Sequence, residues 1–287
     1  MTFTWKNNLN KTYKQKHWFK LWIQENYSVR QLSKISGFSE FKIKQIKNYW
    51  LSKEPPITFK KTNLLTKYLL FDGTYFHKNG CCIIVIDIIS KIVIINDYVD
   101  KERYKNVCKL FNKLKEQGIY PRVITIDGHK QVTDAIKTVY PNIIIQRCLY
   151  HIQRQGLSWL RMNPKTQAAK DLRKILFTLC NVKTNKEKNI FINSFYHWQY
   201  IYKDFINNLP NDSIAIKDLK RTANLINQAL PNMFYYIDDK NIAQTTNIAE
   251  SFFSRLKTDF QRHRGLSEKH KVAYLKWYIY FKNSNIF

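Results

Sequence analysis

Acidic residues are scarce in this chain: 21 Asp and Glu stand against 48 Lys and Arg, a net charge of +27 over 287 residues. Cysteines are few, and their number, five, is odd. They form no paired framework, which excludes a disulfide-stapled scaffold. No apolar run approaches membrane-spanning length, so no membrane partner is expected. The N-terminus is polar and aromatic and carries no secretory leader, so a soluble, cytoplasmic protein with reduced thiols is expected. Internal repeats and low-complexity tracts are missing. What is present excludes global disorder: 44% of residues are hydrophobic and 15% aromatic, ample for a packed core.

The basic excess points to a polyanionic partner, and nucleic acid is the usual one. It is uneven. Residues 1–66 carry 13 basic and 3 acidic residues, whereas residues 67–151 carry 13 and 8. The N-terminus is therefore the most one-sided region. The acids gather where the strand-like runs lie.

Residues 1–54 read as helical. SVRQLSKISGFSEFKIKQIKNYWL, residues 28–51, reads as helix, tight turn and helix, with Gly37 in the turn and Ser39 as N-cap. Ile43, Ile46 and Trp50 face inward, and Lys42, Lys44 and Lys47 lie elsewhere on the second helix. This is the layout of a helix-turn-helix whose second helix enters a major groove, which makes the three lysines candidate DNA contacts. An αα-hairpin with a solvated lysine face is the plainer alternative. Pro55 and Pro56 break the chain, and residues 55–66 read as a linker.

A different pattern follows. KYLLFDGTYF is a strand carrying Asp72, with a turn at Asn79-Gly80. CCIIVIDI is apolar almost throughout, as in a strand buried on both faces, and KIVIINDYV pairs with it across a turn at Ile89-Ser90. Residues 102–117 form an amphipathic helix. PRVITID is a short strand ending at Asp127, GHKQVTDAIKTVYP a helix, and NIIIQRC a fifth strand. The order βββαβαβ predicts an α/β mixed sheet with helices on its faces. About a hundred residues of helical pattern follow and predict an all-helical insertion. Its aromatics, Phe195, Tyr196, Trp198, Tyr200 and Tyr202, are expected mainly in its core. A closing helix with aromatic anchors ends the chain.

TNIAESFFSRLKTDFQRHRG, residues 246–265, reads as one more helix, stopped by Gly265. Ala249, Phe252, Phe253, Leu256 and Phe260 form its apolar face. Glu250 is the acid of its first turn, and Lys257 and Arg264 lie on a cationic side that suits DNA. A capping box between Asn247 and Glu250 is the plain alternative. Asp-Gly also makes ordinary turns, but Asp72 and Asp127 both precede glycine at the end of a β-rich run. The βββαβαβ order matches the ribonuclease-H-like core, in which acids stand on strand one, at the end of strand four and on a later helix. Asp72, Asp127 and Glu250 occupy those places. Asp87 reads as a strand-end polar residue, and Asp97, Asp100 and Asp134 lack the strand-to-glycine context.

Four motifs, FDGTYF, VITIDGHK, CLYHIQR and TTNIAESFFSRLK, taken in this order, resemble the DDE transposases of bacterial insertion sequences related to the eukaryotic Mutator elements. The resemblance spans roughly residues 67–281. It implies metal-dependent cleavage at the ends of a mobile element and joining to target DNA, in a bacterial, nucleoid-associated protein. Asp72, Asp127 and Glu250 would be the catalytic ligands of two Mg²⁺ or Mn²⁺ ions, with Asp72 bridging. The chemistry agrees, since paired cations stabilise attacking and leaving oxygens together, and hard carboxylate oxygens suit these metals. Cys148 and His151, two ligands where structural zinc takes four, are expected to support the active site without metal. His129 is a candidate phosphate contact or a solvated loop residue. No cysteine precedes Cys81, so a zinc module before the core is not expected. The implied domains are a helix-turn-helix at 1–54, a catalytic core at 67–151 and 246–287, and the insertion at 152–245. The partner is double-stranded DNA, bound by a homodimer or larger assembly. The alternatives are a catalytically silent, transposase-derived DNA-binding protein and a nuclease that cuts without joining.

Overall fold

The computed structural model describes residues 4–56, 66–76, 80–208, 214–263 and 265–284, with side chains from residue 11 onward. Three helices open the chain: α1 (Thr4–Gln24), α2 (Val29–Ser36) and α3 (Glu40–Leu51). The tight turn between α2 and α3 follows from local chemistry. Ser28 and Gln31 form a capping box at the start of α2. Gly37 closes that helix at φ +73°, a left-handed conformation that costs glycine little. The Ser39 hydroxyl then accepts from the Lys42 N–H and starts α3.

Five strands form one mixed sheet in the order β3-β2-β1-β4-β5. They are β1 (Tyr68–Tyr75), β2 (Cys81–Asp87), β3 (Val93–Val99), β4 (Val123–Ile126) and β5 (Ile144–Arg147). The first three make an antiparallel meander, and β1, β4 and β5 run parallel. Helices α4 (Tyr104–Glu116) and α5 (Lys130–Val139) are the crossovers. Every residue of β2 is buried, because both sheet faces are covered. Leu69, Phe71, Ile83 and Val85 pack beneath α4 and α5, and Leu70, Cys82, Ile84 and Ile86 face the other way. The predicted turn at Asn79-Gly80 includes a residue outside those described, but Phe76 N donates to Gly80 O across it. Most of the 55–66 linker also lies outside them.

The second face of the sheet meets α11 (Asn247–Gln261) and α12 (Glu268–Ser284). The N-terminal helices join the same core. Phe19, Trp22, Ile43 and Ile46 share one cluster with Phe253, Tyr274 and Trp277. The Trp277 indole donates to the carbonyls of Trp50 and Lys53, and Tyr274 Oη donates to Ile23 O. Asn26 and Tyr278 both donate to the Asp259 carboxylate. The end of α12 seals the sheet edge, where buried Asn283 accepts from Val93 N and donates to Val93 O.

Between β5 and α11 lie α6 (Leu149–Leu160), α7 (Gln167–Thr178), α8 (Asn185–Asn208), α9 (Ile214–Ala229) and the short α10 (Tyr235–Asp238). They form a third core around Leu172, Leu176, Phe195, Trp198 and Ile226, with no strand among the described residues. Phe195 and Trp198 are buried, whereas Tyr196 and Tyr200 are exposed. The chain returns along the sheet: Thr125 Oγ1 donates to Ala243 O, and Leu149 N donates to Gln244 O. No described helix is long and apolar enough to cross a membrane.

Candidate active site

Asp72 lies inside β1, not at its end: the strand continues through Gly73 to Tyr75, so this Asp-Gly pair makes no turn. Strand alternation sends Asp72 to the same side as Leu70, the side that meets α11. The β1–β4 register ends with Leu70 paired to Thr125, two residues before Asp72 and Asp127, and the Asp127 charge acts on Asp72. Asp127 lies just past β4. Its Oδ1 accepts from His129 N at 2.9 Å, which leads the chain into α5. His129 makes no side-chain cap there.

Glu250 rises from the first turn of α11 on the same side. The capping-box alternative with Asn247 is not what forms. Thr246 is the N-cap, it makes no side-chain cap bond, and α11 ends at Gln261, before Gly265. The Thr246 side chain is committed elsewhere. Its Oγ1 lies 3.4 Å from Cys148 Sγ and 3.2 Å from His151 Nδ1, and its N–H donates to Cys148 Sγ. Cys148 is the N-cap of α6, and His151 Nδ1 sits 3.2 Å from its sulfur. The Cys148–His151–Thr246 cluster thus joins the exit of β5 to the start of α11, four residues before Glu250. The other edge of the imidazole, Nε2, is 3.7 Å from Glu250 Oε1, an ion-pair separation beyond hydrogen-bond reach.

Electrostatics couple several of these groups. The hydrogen bond to Cys148 raises His151 to about 9, burial works against it, and the charges of Cys148, Asp72 and Asp127 add to the rise. Burial pushes the Cys148 thiol up, but hydrogen bonds from His151 and Thr246 outweigh it and leave the thiol below its usual range. Burial raises the Asp72 carboxyl to about 7; the Gly73 N–H and His151 pull it down, and Asp127 and Glu102 push it further up. Glu250 Oε1 is buried without a hydrogen-bond partner.

Two groups here left no sequence signal. Glu102, in the loop before α4, lies over Gly73, where an added Cβ would come 1.9 Å from Glu102 Oε1. Burial raises its pKa and the Asp127 charge adds to the rise. Arg147 ends β5 and lies against Gly128 in the same manner. Both glycines that follow the aspartates therefore make room for a charged side chain. Among the described residues, no three His, Cys, Asp or Glu side chains are grouped so that they could hold a metal ion.

The other acids serve local structure. Asp87 accepts from Ser90 N and Oγ, and Asp97 pairs with Lys113. Of the lysines considered for DNA, Lys44 is exposed on α3. Lys42 Nζ donates to Gln45 at 3.4 Å. Lys47 lies over the Trp22 ring, 5.5 Å from its centroid, and burial lowers its pKa. Lys257 is half-buried with its Nζ 5.9 Å from the Phe76 centroid. Arg264 lies outside the described residues.

A family described as "Transposase, Mutator family" matches residues 77–264, well over half of the chain. The chain belongs to the Mutator family of transposases. The match includes Asp127, Cys148, His151 and Glu250 and begins five residues after Asp72. No curated protein matches this transposase. Among solved structures it is similar to a chain in the cryoEM structure of a simian T-cell lymphotropic virus intasome in complex with PP2A regulatory subunit B56 gamma, at 13% identity. That likeness covers 70% of this transposase and 66% of the other chain, with a TM-score of 0.23, too low to carry an argument.

Proposed function

We propose that this chain is a DDE transposase that binds the ends of a mobile DNA element, cleaves the DNA and joins it to a target, through Asp72, Asp127 and Glu250. The observation that carries this reading is that His151 lies beside Glu250 and feels the charges of Asp72 and Asp127, in a member of a transposase family. The βββαβαβ order with strand order 3-2-1-4-5 supports a ribonuclease-H-like core. The turn from α2 to α3 supports a helix-turn-helix, and the basic N-terminus supports double-stranded DNA as its partner. A homodimer or larger assembly on DNA belongs to the same reading.

The residues fit Mg²⁺ or Mn²⁺ in kind. The donors are hard carboxylate oxygens. Burial holds Asp72 near 7, and Glu250 Oε1 lacks a hydrogen-bond partner. Asp72, Asp127 and Glu250 would hold the ions, whose bound charge would stabilise the attacking and leaving oxygens of a phosphodiester. The chain's own work is positioning. Asp72 on β1 and Asp127 just past β4 would act together from neighbouring strands. Cys148 and Thr246 orient the His151 ring, and its Nε2 edge steadies Glu250 at the start of α11. A small displacement there is costly to catalysis.

All three acids are present in the sequence, which favours the enzyme reading over a silent descendant. The decisive experiment incubates the full chain with Mg²⁺ or Mn²⁺, labelled duplex carrying the element's own ends, and a supercoiled target. The expected products are nicked ends and joined molecules, both missing with Glu250→Gln. Nicks without joining would indicate a nuclease, and binding without either product a silent DNA-binding protein.

A further inference from the structure

Arg147 has no role in the site described so far, yet it lies beside it. It stands opposite Ile126 in the β4–β5 register, one residue from Asp127. Gly128, at φ +93°, leaves a gap that the guanidinium fills: an added Cβ would come 1.7 Å from Nε and 1.9 Å from Cζ. The guanidinium therefore lies against the backbone of the Asp127 loop. Its Nε is buried without a hydrogen-bond partner. None of the ion pairs among the described residues includes it. Asp127 Oδ1 is instead engaged by His129 N. Arg147 is only partly buried, and the Asp127 charge bears on it without forming an ion pair; a cation partly withdrawn from water with no direct partner gains when a ligand supplies an anion. A planar fork already fixed in orientation loses little freedom when it takes a phosphate in bidentate fashion.

We propose that Arg147 is a binding site for one DNA phosphate beside Asp127, with Gly128 as the surface that orients its guanidinium. The inference rests on the reading that DNA enters this site. It adds a cation of the chain's own on the Asp127 side, where carboxylates alone would repel the backbone. The alternative is that Arg147 only steadies the Asp127 loop.

The test is a binding measurement on the full chain without metal. A set of duplexes carries the element's terminal sequence, each with one phosphate replaced by an uncharged methylphosphonate. The wild type is expected to lose about tenfold in affinity at the Arg147 phosphate, as a charge-assisted contact implies. Arg147→Ala should bind the unmodified duplex about tenfold more weakly and lose sensitivity at that position alone. Arg147→Lys should keep part of it. Gly128→Ala should erase it with the arginine still present, and serves if Arg147→Ala does not fold. Coincident profiles for wild type and variants, a uniform loss at every position, or a wild type insensitive at every phosphate would overturn the proposal. The profile needs no cleavage. A protein that cuts and joins while Arg147→Ala keeps the wild-type profile loses only this inference. One that shows the position-specific loss but never cuts loses only the catalytic reading.

Discussion

Neutralising Asp72 should stabilise the metal-free protein while abolishing its chemistry. Burial and the neighbouring charges of Asp127 and Glu102 raise the Asp72 carboxyl from 3.8 to about 7. A shift of about 3 pH units corresponds to about 4 kcal/mol against the ionised form, at 1.36 kcal/mol per unit. Relaxation and water penetration reduce this to roughly 2–4 kcal/mol. The sign follows from linkage. The folded pKa is raised, so between 3.8 and about 7 the native state holds the proton that the unfolded chain has released, and stability falls as pH rises through that window. Asp72→Asn removes the penalty and keeps an oxygen to accept the Gly73 N–H, which Asp72 Oδ1 accepts at 2.9 Å. The variant should match the wild type near pH 4 and exceed it at pH 8 by roughly 4–8 °C in Tm, given roughly 2 °C per kcal/mol for a protein of this size. Added Mg²⁺ should narrow the gap at pH 8 by stabilising the wild type alone. Thermal unfolding at both pH values, with and without EDTA, is the assay. A variant that is equally or less stable than wild type at pH 8 would show that Asp72 is not held under electrostatic strain.

Three further outcomes are expected. Lys44→Ala should weaken duplex binding and lower its salt slope by roughly one counterion, whereas Lys47→Ala, whose side chain covers Trp22, should leave both unchanged; salt titrations of affinity check this. Gly73→Ala should displace Glu102 and slow cleavage at least tenfold with little change in DNA affinity, measured by single-turnover kinetics and titration. Asn283→Ala strips the buried Val93 N–H and C=O of their partner and should cost about 2–4 kcal/mol in urea unfolding.

Much of the frame was legible because its signals are local. The apolar run of β2 announced a strand covered on both faces, and Gly37 with Ser39 announced the turn into α3. What remained hidden depends on contacts far apart in sequence. The Asp72-Gly73 pair reads as the end of a run, but Gly73 continues β1 by pairing with Ile83, and Glu102, 29 residues on, occupies the space above it. On its own stretch Glu250 reads more simply as half of a capping box, but Thr246 bonds to Cys148 and His151 at the start of another helix. Lys47 sits with the lysines of α3 in sequence, yet Trp22 of α1 takes its side chain. Helical periodicity says which face is polar, not which neighbour covers it. The Trp277 indole joins α12 to the end of α3, a contact of more than two hundred residues' separation that composition cannot disclose.

The central claim is that Asp72, Asp127 and Glu250 act as one catalytic unit on DNA. Single-turnover cleavage of the element-end duplex by wild type, Asp72→Asn, Asp127→Asn, Glu250→Gln and the Asp72→Asn/Glu250→Gln double variant tests it most directly, with duplex affinity measured alongside. Each single change should slow cleavage by roughly a thousandfold or more, the double change should add little, and affinity should hold, because residues that act as a unit are not additive. Near-normal cleavage by any one of the three single variants would contradict the account and remove that residue from the site.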